Sequence, residues 1–214
     1  MKKEVAFAVL AAAALLGGTN CASADPPIVI NELMYNAPVV GDEGEYLELY
    51  NAGYGSVDLG NWRFSDGIDF TFPEGTVLDE GDYLVVCKHA DRIRATYGIN
   101  NAIGDFTGKL NDTGERVRLV NSVGMVVDEL RYDERNPWPA SADGQGYSLE
   151  LRNPSLDNEQ ASSWFASVAF LGTPGARNSV FWDPREEMVS LIEPGDIWRF
   201  FRGWTPPSAP PDAW

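Results

Sequence analysis

Carboxylates crowd one stretch of this chain. Asp42, Glu43 and Glu45 lie within four positions, and hard divalent cations take such clusters of carboxylate and carbonyl oxygens. These three are the candidate metal ligands, with calcium as the ion; no other cofactor is indicated. Glu32 and Glu48 stand on the segments that flank them, and Asp66 and Asp69 form a second acidic pair. No segment shows the spaced Asp/Asn–Gly–Glu pattern of a helix–loop–helix calcium loop, and a solvated acidic surface would carry the same residues. A second constellation overlaps the first. Tyr46, Glu48 and Tyr50 alternate, so in an extended strand they share one face. Rings and a carboxylate on one face can stack on and hydrogen-bond a sugar, or meet a neighbouring domain. They are the candidate surface-binding residues.

Enzyme chemistry finds less to work with. His89 is the single histidine, so a histidine-built metal cluster or a Ser-His-Asp triad would rest on it alone. It stands just before a helical segment, where a capping or surface role is expected. No glycine-lysine loop that would cradle phosphate is present. The balance of 16 Lys and Arg against 32 Asp and Glu gives a net charge of −16. Such a surface repels phosphate backbones and anionic lipid, so nucleic acid is disfavoured as a partner.

The first 24 residues read as a secretory signal peptide. Lys2 and Lys3 precede an apolar run from Val5 to Leu16, and Ala22-Ser23-Ala24 supplies a small-residue cleavage site before Asp25. The run is shorter than the roughly 20 residues a membrane span needs, and no later stretch is apolar enough to cross a bilayer. A secreted, periplasmic or cell-surface location follows. Cys21 leaves with the leader, so Cys87 is alone and no internal disulfide forms. Cys87 lies in the apolar run YLVVCK and reads as a small buried core residue.

The elements that must position the candidates are short strands. Ile28 to Tyr35 reads as the first and Gly44 to Asn51 as the second, with Leu47 and Leu49 on its apolar face. Trp62 and Phe64, then Phe70 and Phe72, alternate around Ser65-Asp66-Gly67, a tight-hairpin signature. Tyr83 to Lys88 is apolar on both parities and is expected at the centre of a sheet, covered on both sides. Ala90 to Tyr97 is the one helix, with Ile93 and Tyr97 on one face and Gly98 as its stop. Its shortness suggests a plug at one end. Arg116 to Val120 and Met125 to Tyr132 form a second hairpin. Pro137 to Gly146 reads as a loop with Trp138 packed in it. Tyr147 to Leu151 and Trp164 to Phe170 are the last strands, and Gly172-Thr173-Pro174-Gly175 reads as a closing turn. Seven to nine short strands with a single helix predict an all-β sandwich.

Five motifs then fall in one order: INELMYN at 30–36, GEYLELYN at 44–51, VDLGNWRFSDG at 57–67, FPEGTVLDEGDYLVV at 72–86 and GTPGARNS at 172–179. Together they resemble a bacterial lamin tail domain over about residues 27–179. The resemblance implies an immunoglobulin-like β-sandwich that serves as a binding or targeting module. It brings no catalytic residue set. Residues 180–214 read as a linker and an aromatic, proline-rich tail with Trp198, Phe200, Phe201 and Trp204. That tail resembles the first strand of galactose-binding-like modules, as if another module were cut short.

The expected function is a non-catalytic exported interaction module that docks a protein, a cell-envelope component or an attached domain. The alternatives are an accessory domain of a larger exported hydrolase or kinase-like enzyme, and a calcium- or glycan-binding domain.

Overall fold

A computed structural model of the chain describes residues 28–38 and 41–183. The expected signal peptide and most of the aromatic tail lie outside the described residues.

Twelve strands are found among the described residues, in a six-stranded, a four-stranded and a two-stranded sheet. The six-stranded sheet runs in the order β12 (Trp164–Ala166), β11 (Leu149–Leu151), β1 (Ile28–Met34), β2 (Tyr46–Asn51), β7 (Tyr83–Cys87) and β8 (Ala102–Ile103). The four-stranded sheet runs β10 (Val126–Asp133), β9 (Gly114–Val120), β4 (Arg63–Asp66) and β5 (Phe70–Thr71). A short ribbon pairs β3 (Val57–Asp58) with β6 (Val77–Leu78). The fold is an all-β sandwich. The count exceeds the expected seven to nine, and β6 and β8, which the sequence does not show, hold only two residues each, too short to show a period.

The core lies between the two large sheets. Leu33, Leu47, Leu49, Val86 and Leu149 from one sheet meet Phe64, Val117, Leu119, Leu130 and Tyr132 from the other. Fully burying one such aliphatic side chain is worth about 1.5–3 kcal/mol. Alternation explains the choice of residues: Leu33 pairs with Leu47 on one side and Leu149 on the other, all turned inward. In the expected hairpin Phe64 pairs with Phe70, and Phe72 stands edge-on to Phe70 at 5.1 Å. Arg116 and Arg118 face outward and pair with Asp66 and Glu129.

Three expectations are corrected. First, β7 is not central: it lies between β2 and the two-residue β8, which pairs with it in parallel. It is nevertheless buried on both faces, with Val86 in the main core and Val85 and Cys87 in a second one. Second, helix α1 (Ala90–Tyr97) does not plug an end. It lies against the outer face of the six-stranded sheet, where Ala90 and Ile93 join Met34, Tyr46, Val85, Cys87 and Ala102. Third, the last strand stops at Ala166, leaving Val168 and Phe170 exposed.

Gly98 does end the helix in the left-handed conformation, its N–H donating to the Arg94 carbonyl. His89 occupies the N-cap position, but its side chain caps nothing. The Asp105 carboxylate accepts from the Ala90 N–H instead, at 2.7 Å.

Candidate functional site

A bulge in β1 sets up the site. Between Ile30 and Glu32 the register against β2 shifts, so that Ile30 faces Leu49 while Glu32 faces Glu48. Two residues of β1 there oppose one step of β2, and the ladder is locally disrupted. Glu32 also pairs with Glu150 of β11. One row across the sheet therefore reads Phe165, Glu150, Glu32, Glu48, Val85 and Ala102. Three glutamates stand side by side on neighbouring strands, on the face turned away from the sandwich core.

Like charges directly opposite each other are destabilising in a sheet, and this row is buried as well. Glu32, Glu48 and Glu150 are all 0 % exposed. Donors come mainly from one segment, residues 171–180. The Thr173 N–H donates to Glu32 Oε1 (2.9 Å) and the Thr173 hydroxyl to Glu150 Oε1 (2.8 Å). The Gly175 N–H donates to Glu48 Oε2 (2.5 Å). The Ser179 hydroxyl and Val180 N–H both donate to Glu150 Oε2. Asn178 fills the fork between β1 and β11, where its amide donates to the carbonyls of Asn31 and Leu151. Asn31 in turn donates to Asn178 Oδ1 and Glu48 Oε1, both at 2.9 Å. The segment expected as a closing turn is thus a clasp laid over three carboxyls.

Two tyrosines complete the cage. The Tyr46 hydroxyl donates to Glu32 Oε1 at 2.7 Å, and the Tyr97 hydroxyl of α1 donates to the Leu171 carbonyl at 2.8 Å. Gly172 closes over the site with φ +84°, and a Cβ there would lie 2.2 Å from Glu32 Oε1 and 2.3 Å from the Tyr46 hydroxyl oxygen. Only glycine fits, on both conformational and steric grounds. Glu32 Oε2 and Ser148 Oγ are the only buried side-chain polar atoms left unbonded among the described residues.

Burial pushes all three carboxyls up: Glu32 to about 7, Glu48 well above the carboxylate range, and Glu150 in the same direction. After burial, the charge of Glu150 acts most on Glu32, and the charge of Glu32 acts most on Glu48. An isolated buried carboxylate is costly, and taking up a proton removes that cost.

The sequence-level candidates land in three places. Tyr46 and Glu48 are not surface residues. Both are 0 % exposed, because helix α1 and the clasp cover the face that strand alternation would leave to solvent. Tyr50, two residues along, is half-buried and does line a surface cleft. Its ring lies 4.7 Å from that of Tyr83, its cross-strand partner. A pocket of about 250 Å³ is bounded by Tyr50, Tyr83, Pro154, Arg177 and Phe181. A second, of about 650 Å³, shares Tyr50, Pro154 and Phe181 and adds Asn153 and Ser155. Arg177 stacks on Phe181 at 3.8 Å.

Asp42, Glu43 and Glu45 are not brought together. Glu43 pairs with Arg92 at 2.6 Å and Asp42 with Lys109 at 3.8 Å. Glu45 is buried and accepts from the Leu110 N–H at 2.9 Å, its carboxyl pushed up to about 7 by desolvation. Among the described residues no group of three acidic, His or Cys side chains is placed to hold a metal ion. Asp42 and Glu43 lie on the short 3-10 helix at Gly41–Gly44 and meet different cations, while Glu45 follows it and turns into the protein. Cys87 is buried, its thiol donating to the Ile103 carbonyl and pushed up to about 12 by burial.

Residues 22–134 match the family described as Lamin Tail Domain, just over half of the chain. The chain belongs to the lamin tail domain family. No curated protein matches it. The lamin tail domain is an immunoglobulin-like, interaction-type domain, in keeping with the sandwich. The match ends at residue 134, whereas the six-stranded sheet continues through β11 and β12 and the clasp follows them. Glu150 and the clasp, half of the acid site, therefore lie beyond the matched residues. Sequence reasoning passed over Glu32 and Glu150 as site residues. The available signal was LEL at 47–49 and again at 149–151: each strand carries Glu between two inward leucines, which places the acid opposite the core.

Proposed function

We propose that this lamin tail domain is a non-catalytic, exported interaction module that docks its partner, a protein or cell-envelope component, in the aromatic cleft beside the clasp. The observation that carries the reading is a contrast between two neighbouring surfaces. The carboxyls that could do acid–base chemistry are shut under residues 171–180, which donate to each of them, while the cleft walls are half-buried rings. Tyrosine and arginine at a concave surface are typical anchors of recognition. The net charge of −16 favours a basic or neutral partner over an anionic one. Export is supported by the basic start, apolar run and Ala22-Ser23-Ala24 of the leader.

Co-sedimentation of the purified protein with envelope fragments of the producing cell tests this. Wild type should pellet with the envelope, and the Tyr50→Ala/Phe181→Ala variant, folded by circular dichroism, should remain in solution. Equal partition of the two proteins would refute the cleft as the docking site. Amino-terminal sequencing of the exported protein should begin at Asp25.

A further inference from the structure

The acid row has features that a docking role does not use. A sheet face meant only to be covered is most simply made apolar, as Val85 and Ala102 are in the same row. Here three strands in succession present carboxyls instead. The segment that covers them brings backbone N–H groups and hydroxyls, five of which donate to the three acids. The clasp is therefore gripped by groups whose charge depends on pH. It also builds one wall of the cleft, since its Arg177 and Asn178 line it and Phe181 follows directly after it.

We infer that residues 171–180 form a proton-held clasp, closed while Glu32 and Glu48 keep their protons and loosened, together with the cleft wall, when both ionise beside Glu150. The geometry carries a place for the proton. Glu32 Oε1 already accepts from Thr173 and Tyr46, while Glu32 Oε2 is buried without a partner. The Ser148 hydroxyl lies beside that carboxyl. A proton on Oε2 can donate to the serine oxygen, whereas an ionised Oε2 has that one hydroxyl as its only neighbouring donor. Glu150, with three donors on its two oxygens, is the member best suited to hold a charge. Its charge in turn resists ionisation of Glu32.

The groups that face the row are mostly acids and phenols. From β2, Tyr46 and Glu48 face Glu32; from β11, Glu150; from α1, Tyr97. Tyr83 of β7 faces Glu48, and Arg177 of the clasp is the cation on that side, acting on Tyr83. The phenols of Tyr46, Tyr83 and Tyr97 are all pushed above their ordinary range, so they stay neutral while the acids titrate. Ionising both Glu32 and Glu48 therefore sets three adjacent carboxylates against one another beneath the clasp.

Hydrogen exchange of the full chain, read by mass spectrometry between pH 5.5 and 8.5 and corrected for the intrinsic pH dependence of exchange, tests the clasp. Protection of peptides spanning 171–180 should fall about tenfold or more across this range, since one pKa unit is a factor of ten in the equilibrium. Protection of Gly114–Asp133 should stay above that of the clasp at every pH, because the clasp opens without the core. In Glu32→Gln, where Glu32 and Glu48 can no longer both ionise, the clasp should stay protected throughout. Constant protection of the wild-type clasp, or equal protection of clasp and β9–β10 at every pH, would overturn the inference. Should this variant not fold, side-chain carboxyl carbon shifts of the wild type decide. Midpoints near or above neutrality for Glu32 and Glu48 support the clasp, and midpoints near 4.5 overturn it.

Discussion

Replacing Glu32 by Gln should make the domain more stable at pH 8 while changing little at pH 5. The reasoning is one of linkage. Glu32 has a folded-state carboxyl near 7 against an ordinary 4.5, raised first by burial and then by Glu150. Below pH 4.5 it is protonated in both folded and unfolded chains. Between 4.5 and 7 the unfolded chain releases the proton and the folded chain keeps it. The folded state then binds more protons, so stability falls as pH rises through this window. At 1.36 kcal/mol per unit, the loss from Glu32 is about 3 kcal/mol. That is a large part of the 5–15 kcal/mol that holds a typical domain folded. Glu45 and Asp128, pushed up to about 7 and about 6 by burial, act in the same direction. Asp66 and Asp133, held low by Arg116 and Arg135, lose their pairing only below the ordinary carboxylate range, outside this window. Glutamine has the shape of the protonated acid and cannot ionise. Urea unfolding followed by tryptophan fluorescence at pH 5, 6, 7 and 8 should show wild type weakening with pH, and Glu32→Gln weakening about 3 kcal/mol less. A wild type as stable at pH 8 as at pH 5, or a Gln variant with the full slope, would refute the assignment.

The other predictions concern the elements that frame the acid row. Gly172→Ala should cost at least about 2 kcal/mol by urea unfolding, because its Cβ meets Glu32, Tyr46 and Ser148 within 2.6 Å at a positive φ; a change under half of that would show that the clasp can back away freely. Asn178→Ala should cost about 2–3 kcal/mol, since it leaves the buried carbonyls of Asn31 and Leu151 without donors, and slower refolding with unchanged stability would contradict this. Arg118→Ala, which breaks a part-exposed pair with Glu129, should change stability by no more than about 1 kcal/mol. Millimolar calcium should leave the thermal midpoint unmoved, because Asp42, Glu43 and Glu45 face separate partners; a rise of several degrees would show that the acids regroup around the ion.

The fold was legible because period-2 patterning reports which residues turn inward. Leu47 and Leu49 were readable as core from alternation alone, and helix Ala90–Tyr97 with its Gly98 stop was readable from end signals. The same patterning misled at the site. Alternation places Tyr46 and Glu48 opposite the core, which is correct, but opposite the core is solvent only where nothing covers the sheet. Here a helix from residue 90 and a clasp from residue 171 do so. Covering segments so distant leave no mark on the covered strand. The bulge at Asn31 was hidden for a similar reason, since it appears only in pairing with β2. The acids at 42, 43 and 45 show the converse error. Closeness in sequence suggested convergence, but two of the acids meet different cations and the third turns into the protein.

Buried carboxyls are an expensive way to fasten a segment to a sheet, and leucines in their place would fasten it more firmly. An apolar row would, however, hold its cover at every pH and accept any apolar cover. Three acids accept only a segment with donors spaced to reach them. Residues 173, 175, 179 and 180 supply that spacing, with Gly172 giving close approach and Asn178 fixing the register. Specificity for one segment and dependence on a proton come from the same chemistry, and both are lost together if the acids are replaced by apolar side chains. Because the gripped segment carries Arg177 into the cleft wall and leads directly into Phe181, the shape of that aromatic cleft is set by the charge state of a site that solvent does not touch.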